Sequence, residues 1–173
     1  MMEREDRTRK YRYLGEQGTN EAEYGIQRKQ ISGPEDIWHY CAPELRHGHV
    51  TVTVTFIVDV KRRLWIADRH SEHVACARGG DVLSAGEMTF TLEGGHAVVS
   101  QVTNLSTGYC PEPESWRVVA EALQMIGMTA PNGFEPACDF RRCTACGQRN
   151  LVKDGYFVCA VCSADLPRYW NFL

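Results

Sequence analysis

The chain has 173 residues, a formal net charge of −3 and 43% hydrophobic residues. That supplies one buried core with a small appendage. The charge argues against a dedicated nucleic-acid binder or a polybasic membrane anchor, both of which carry a basic excess. The opening "MMEREDRTRK" is charged throughout and has no apolar stretch, so it does not read as a secretory signal. No apolar run approaches the roughly 20 residues of a membrane span. The expectation is a soluble, cytoplasmic protein without a membrane partner, whose eight cysteines stay reduced.

Residues 1–30 hold seven Lys/Arg and six Asp/Glu with few aliphatics. Such a segment buries little surface, so residues 1–34 are expected to form a flexible arm, mobile or draped over the body and docked by Tyr11, Tyr13 and Tyr24. "SGPED" is a turn, and Ile37 with Trp38 opens an α+β body over 35–137.

"HVTVTVTFIVDV", residues 49–60, alternates cleanly. Val50, Val52, Val54, Phe56, Val58 and Val60 share one face, which predicts a strand with one buried side. Lys61 and Arg62 turn the chain into a second strand, "LWIAD" at 64–68. "DVLSAGEMTFTLE" and "HAVVSQVTN" form another pair across Gly94-Gly95, a favoured hairpin dipeptide. The period then changes. Trp116, Val119, Ala120, Leu123 and Ile126 make one helical stripe, preceded by Pro111 and Pro113 and ended by Gly127. The fold class is α+β: an antiparallel sheet of four or five strands, one main helix, and a C-terminal appendage over 138–173.

That appendage carries the strongest chemical pattern. Cys143-x-x-Cys146 is followed, after twelve residues, by Cys159-x-x-Cys162. Each C-x-x-C turn offers two thiolates, and a hairpin turning at Asp154-Gly155 brings the two turns together. The segment resembles the zinc ribbons over residues 141–163. The resemblance implies one structural zinc ion held by Cys143, Cys146, Cys159 and Cys162. The aromatic tail, with Tyr169, Trp170 and Phe172, folds back as a cap or docks a partner. Arginines flank the ribbon, but a zinc tetrathiolate carries about −2 of its own, so nucleic-acid binding is left open rather than favoured.

A second polar stretch, "DRHSEHVACARGG", sets His70, His73 and Cys76 three apart. Read as extended chain, these side chains cannot face one point, so no second metal is expected there. Cys41, Cys110 and Cys138 read as buried apolar side chains.

From His73 to Glu87 the sequence is similar to a stretch of plant IQ-motif calmodulin-binding proteins and of some bacterial toxin domains. The matching residues are His73, Gly79, Gly80, Ala85, Gly86 and Glu87, followed by Asn104, Ser106, Tyr109 and Pro111 in "NLSTGYCP". Thr107-Gly108 stands where that family has Gly-His, and no calmodulin-binding helix is present. The resemblance carries no settled activity. The residue types permit a pocket in which His73, Glu87 and Tyr109 do acid–base work and Gly79, Gly80, Asn104 and Ser106 hold a substrate. Diphtheria-type ADP-ribosyltransferases use the same three catalytic types in another chain order. The structural alternative pairs Glu87 with an arginine such as Arg69 and uses Asn104, Ser106 and Thr107 as helix caps.

Two functions follow. One is a zinc-stapled protein with an enzymatic pocket, a transferase or hydrolase acting on a nucleotide-like or acyl small molecule. The other is a non-catalytic adaptor docking protein or RNA through the ribbon and the tail.

Overall fold

The computed structural model describes residues 8–16, 25–48 and 50–173. In chain order the elements are β1 (Arg28–Ile31), α1 (Pro34–Leu45), β2 (Thr51–Asp59), β3 (Leu64–Asp68), α2 (His73–Cys76), β4 (Val82–Glu93), β5 (His96–Val102), α3 (Trp116–Met125), β6 (Asp139–Arg142) and β7 (Arg149–Val152). Tyr24 and His49 lie outside the described residues.

Five strands form one antiparallel sheet in the order β1-β3-β2-β4-β5. Both expected hairpins form. The β4–β5 turn places Gly94 at φ 54° and Gly95 at φ 84°, the left-handed pair that a two-residue hairpin loop demands. Separately, β6 and β7 pair as a two-stranded hairpin.

One sheet face is covered by α1 and α3. Ile37, Cys41, Val119 and Leu123 pack there with Phe56, Ile66, Met88 and Phe90, all essentially buried. Each such large side chain contributes roughly 1.5–3 kcal/mol by leaving water. The buried side of α3 is centred on Val118, Val119, Ala122 and Leu123. The expected stripe is therefore rotated: Val118 and Ala122 join it, while Ala120 sits at the margin.

Helix α1 was not foreseen from the sequence, although its signals are present. Pro34 opens the helix, Glu35 and Asp36 fill its first turn, and Ile37 and Cys41 share its buried side at a spacing of four. Strand β1 lies within the segment expected to be an arm. It pairs with β3 from Arg28↔Ala67 to Ile31↔Leu64, so the sheet begins before residue 35.

The expectation of one buried side for β2 is corrected. Thr55 and Ile57 are as buried as Val54, Phe56 and Val58. A second apolar cluster of Tyr11, Ile57, Val74, Cys76, Val82, Ala85 and Tyr109 covers the other face. Val60, expected on the core side, lies beyond the strand and is exposed.

Candidate metal centre

The first cysteine turn joins β6 to β7, and the second lies on the segment that follows β7. Cys143 directly follows β6, and Cys146 stands three residues before Arg149, the first residue of β7. The second turn returns alongside: Cys159 N–H donates to Ala164 O at 2.8 Å and Leu166 N–H to Phe157 O at 2.9 Å. Each turn ends in a left-handed residue directly after its second cysteine, Gly147 at φ 77° and Ser163 at φ 61°. Between them Asp154 and Gly155, also left-handed, reverse the chain as the sequence indicated.

The sulfurs of Cys143, Cys146, Cys159 and Cys162 all lie within 4.8 Å of one another. Cys143 and Cys162 are 3.5 Å apart, Cys146 and Cys159 3.6 Å. These separations far exceed the ~2.05 Å of a disulfide. Donors point at the sulfurs. The N–H of Cys162, then that of Val161 and the amide of Asn150, pull the Cys159 thiol down to about 6. The N–H of Cys146 pulls the Cys143 thiol down as well. At Cys143 and Cys159 these hydrogen bonds favour the thiolate, the form a metal binds, whereas, against the pull of the Gln148 N–H, desolvation and the neighbouring cysteines push the Cys146 thiol up to about 12. Cys143 and Cys159 are buried, whereas Cys146 and Cys162 face solvent.

One supporting residue escaped the sequence reading. Asn150 is buried on β7; its Nδ2 donates to Cys159 Sγ at 3.6 Å and to Gln148 O at 3.0 Å, and its Oδ1 accepts from Ala160 N–H at 2.9 Å. A polar residue before an apolar pair, "NLV", between the two cysteine turns was the available signal.

The unit is joined to the body by a seam of Cys110, Cys138, Phe140 and Phe172, with Trp170 packed on it. The tail therefore folds back, while Tyr169 stays exposed.

The other candidate residues are placed as follows. His73 and Cys76 lie on the short helix α2, not on extended chain. Arg78 at φ 52° and Gly79 at φ 76° close it, with Gly79 N–H donating to Val74 O at 2.9 Å. Gly79 is thus a helix-ending residue. His73 Nε2 lies 2.9 Å from the Gly86 carbonyl, and desolvation pushes the imidazole pKa down against the opposing pull of Glu72 and Glu87. Glu87 is half-buried, paired across the sheet with Thr55. Tyr109 is fully buried, and its hydroxyl donates to Gly80 O at 2.7 Å. Asn104 caps no helix: Nδ2 donates to Pro111 O and Cys138 O, and Oδ1 accepts from Cys138 N–H. Ser106 Oγ is buried without a hydrogen-bond partner among the described residues.

The structure therefore brings His73 to Gly86 and Tyr109 to Gly80. A cleft of about 500 Å³ lies elsewhere, between α1, the start of β5 and the loop after α3, lined by Trp38, His39, His96 and Met128 among others but by none of these candidates. No helix among the described residues is long and apolar enough to cross a membrane. The chain matches no known family model, no curated protein and no solved structure.

Proposed function

We propose that the chain is a zinc-binding protein whose C-terminal unit is a zinc ribbon, with one ion held by Cys143, Cys146, Cys159 and Cys162 as a structural staple. The sulfur separations of 3.5 and 3.6 Å carry the reading. A tetrahedron with zinc–sulfur bonds of about 2.3 Å has edges of about 3.8 Å. Four thiolates also leave no open position for water or substrate, the arrangement of a structural site. When bound, the ion supplies folding energy to a hairpin whose own core is small. Elemental analysis of protein purified without chelator is expected to give one equivalent of zinc. A chelator is then expected to free four thiols to a colorimetric reagent. A metal-free protein with these thiols in disulfides, or one equivalent of iron, would overturn the proposal.

A docking role for the same unit has one observation in its favour. Tyr156 is 72% exposed, Val161 67% and Tyr169 70%, all on the ribbon or the tail after it. Exposed aromatics of this kind are enriched at interfaces. Fluorescence anisotropy with a single-stranded RNA oligomer tests the RNA form of this reading. Salt-sensitive binding lost in Tyr156→Ala or Tyr169→Ala supports it, and its absence removes RNA as the partner. A catalytic use of Tyr109 would require its hydroxyl to leave Gly80, and it is not part of the proposal.

A further inference from the structure

The turn over residues 104–111 is held from four sides. The ribbon reaches it twice. Arg149, three residues after Cys146, donates from Nη1 to Thr107 O at 2.9 Å. Asn104 grips both backbone groups of Cys138, the residue leading into β6, at 2.7 and 2.8 Å. The tail reaches it once, through Trp170 Nε1 to Cys110 O at 2.8 Å. That tail is clamped beside the first cysteine, because Asn171 donates to and accepts from the backbone of Arg142 at 2.8 Å each way. The N-terminal segment reaches it from a third side. Leu14 N–H donates to Gly108 O at 2.8 Å, and the ring of Tyr13 lies so close to Gly108 that a Cβ there would meet it at 2.9 Å.

The fourth side is an output. Tyr109 points away from the ribbon into the body, where its hydroxyl holds Gly80 O at 2.7 Å. Gly80 directly follows Arg78 and Gly79, the left-handed pair that closes α2, the helix carrying His73. The turn is not at rest by itself. Cys110 sits at φ 47°, a conformation that strains a non-glycine residue and persists only where surrounding contacts enforce it. Two of those contacts come from the ribbon and one from the tail bound to it.

We infer that metal occupancy of the ribbon controls the order of the loop over residues 77–82, through the turn over 104–111 and Tyr109. The inference rests on the structural-zinc reading above. With the ribbon folded, Arg149, Cys138 and Trp170 hold Cys110 in its left-handed state and Tyr109 on Gly80. With the ribbon unfolded, those three restraints go together, Cys110 relaxes, and the loop beside His73 loses its tie to Tyr109, keeping its backbone pairing of Val82 with Tyr11. The sheet, which has its own core, stays folded.

Hydrogen exchange read by mass spectrometry on the full chain tests this, with metal content measured on the same samples. Zinc-loaded and chelated protein are compared over 139–162, 104–112, 77–84 and 51–59. Chelation is expected to speed exchange in the first three by at least about tenfold and to leave the β2 segment protected. In Tyr109→Phe the 77–84 segment is expected to exchange fast with or without metal, while 104–112 still responds to chelation. Zinc loss that speeds 139–162 but leaves 77–84 unchanged would overturn the inference and leave the zinc reading standing. Collapse of the β2 segment on chelation would overturn it too, since the effect would then be global. Protein that neither carries nor takes up zinc would remove both.

Discussion

Gly86 on β4 lies against the backbone of Thr103, so close that a Cβ at residue 86 would stand 1.9 Å from the Thr103 carbonyl oxygen. The approach is fixed by a reciprocal pair of hydrogen bonds next to it. Thr103 N–H donates to Glu87 O at 2.9 Å, and Glu87 N–H donates to Thr103 Oγ1 at 3.3 Å. The obstruction is backbone, which no rotamer change relieves. Gly86→Ala is therefore expected to cost about 3 kcal/mol or more, or to prevent folding. Chemical denaturation compared with Ala85→Gly, a change that removes a buried methyl and adds no clash, checks this. A Gly86→Ala protein of unchanged stability would mean that β4 and the end of β5 do not approach as described.

Much of this arrangement can be read from the residues alone. The alternation in "TVTVTFIVD", the Gly94-Gly95 turn and the paired cysteine turns each state a local rule that fixes the kind of element formed. What was hidden depends on tertiary contact. The second covered face of β2 needs Tyr11 and Tyr109, which arrive from 46 positions before and 52 after Ile57. Strand β1 is a charged four-residue edge, "RKQI", whose pairing with β3 supplies what its composition lacks. Asn104 and Tyr109 looked like pocket residues because polar side chains in a β-rich segment signal either a ligand or a buried backbone partner. Here their polar atoms meet Cys138, Pro111 and Gly80. Two glycines in that stretch have different reasons: at Gly79 a positive φ disfavours a side chain, and at Gly86 the backbone of Thr103 excludes one.

The two cysteine turns differ at the residue that follows each second cysteine, and the difference has a sign. Gly147 and Ser163 occupy equivalent left-handed positions, φ 77° and φ 61°. A side chain there costs roughly 1–2 kcal/mol, partly offset because glycine loses more freedom on folding. Ser163→Gly is expected to tighten zinc binding a few-fold in a chelator competition. Gly147→Ala is expected to weaken it by a similar factor. A Cβ at Gly147 would meet nothing within 4 Å, so the loss would come from φ alone. Weaker binding by Ser163→Gly would show that the serine side chain makes a contact outweighing its strain.

His73 gives the protein a pH dependence whose direction can be worked out. Desolvation lowers its pKa in the folded state, while Gly86 O, Glu72 and Glu87 pull the other way without restoring it. The unfolded chain, with a histidine near 6.5, then binds the proton more readily than the folded one. Stability conferred by the neutral ring is complete above about pH 6.5. It drains away as pH falls from there toward the lower folded value. The neutral ring keeps its proton on Nε2, donating to Gly86 O at 2.9 Å. Glutamine places an amide N–H at a similar reach without titrating, so His73→Gln separates the charge from the hydrogen bond. Melting temperatures between pH 8 and pH 5.5 are expected to fall more in the native protein than in His73→Gln, with zinc content checked at each pH because thiolates also take up protons in acid. Equal slopes for the two proteins would mean that His73 titrates as it does in the unfolded chain, and that its ring is not held against Gly86 in solution.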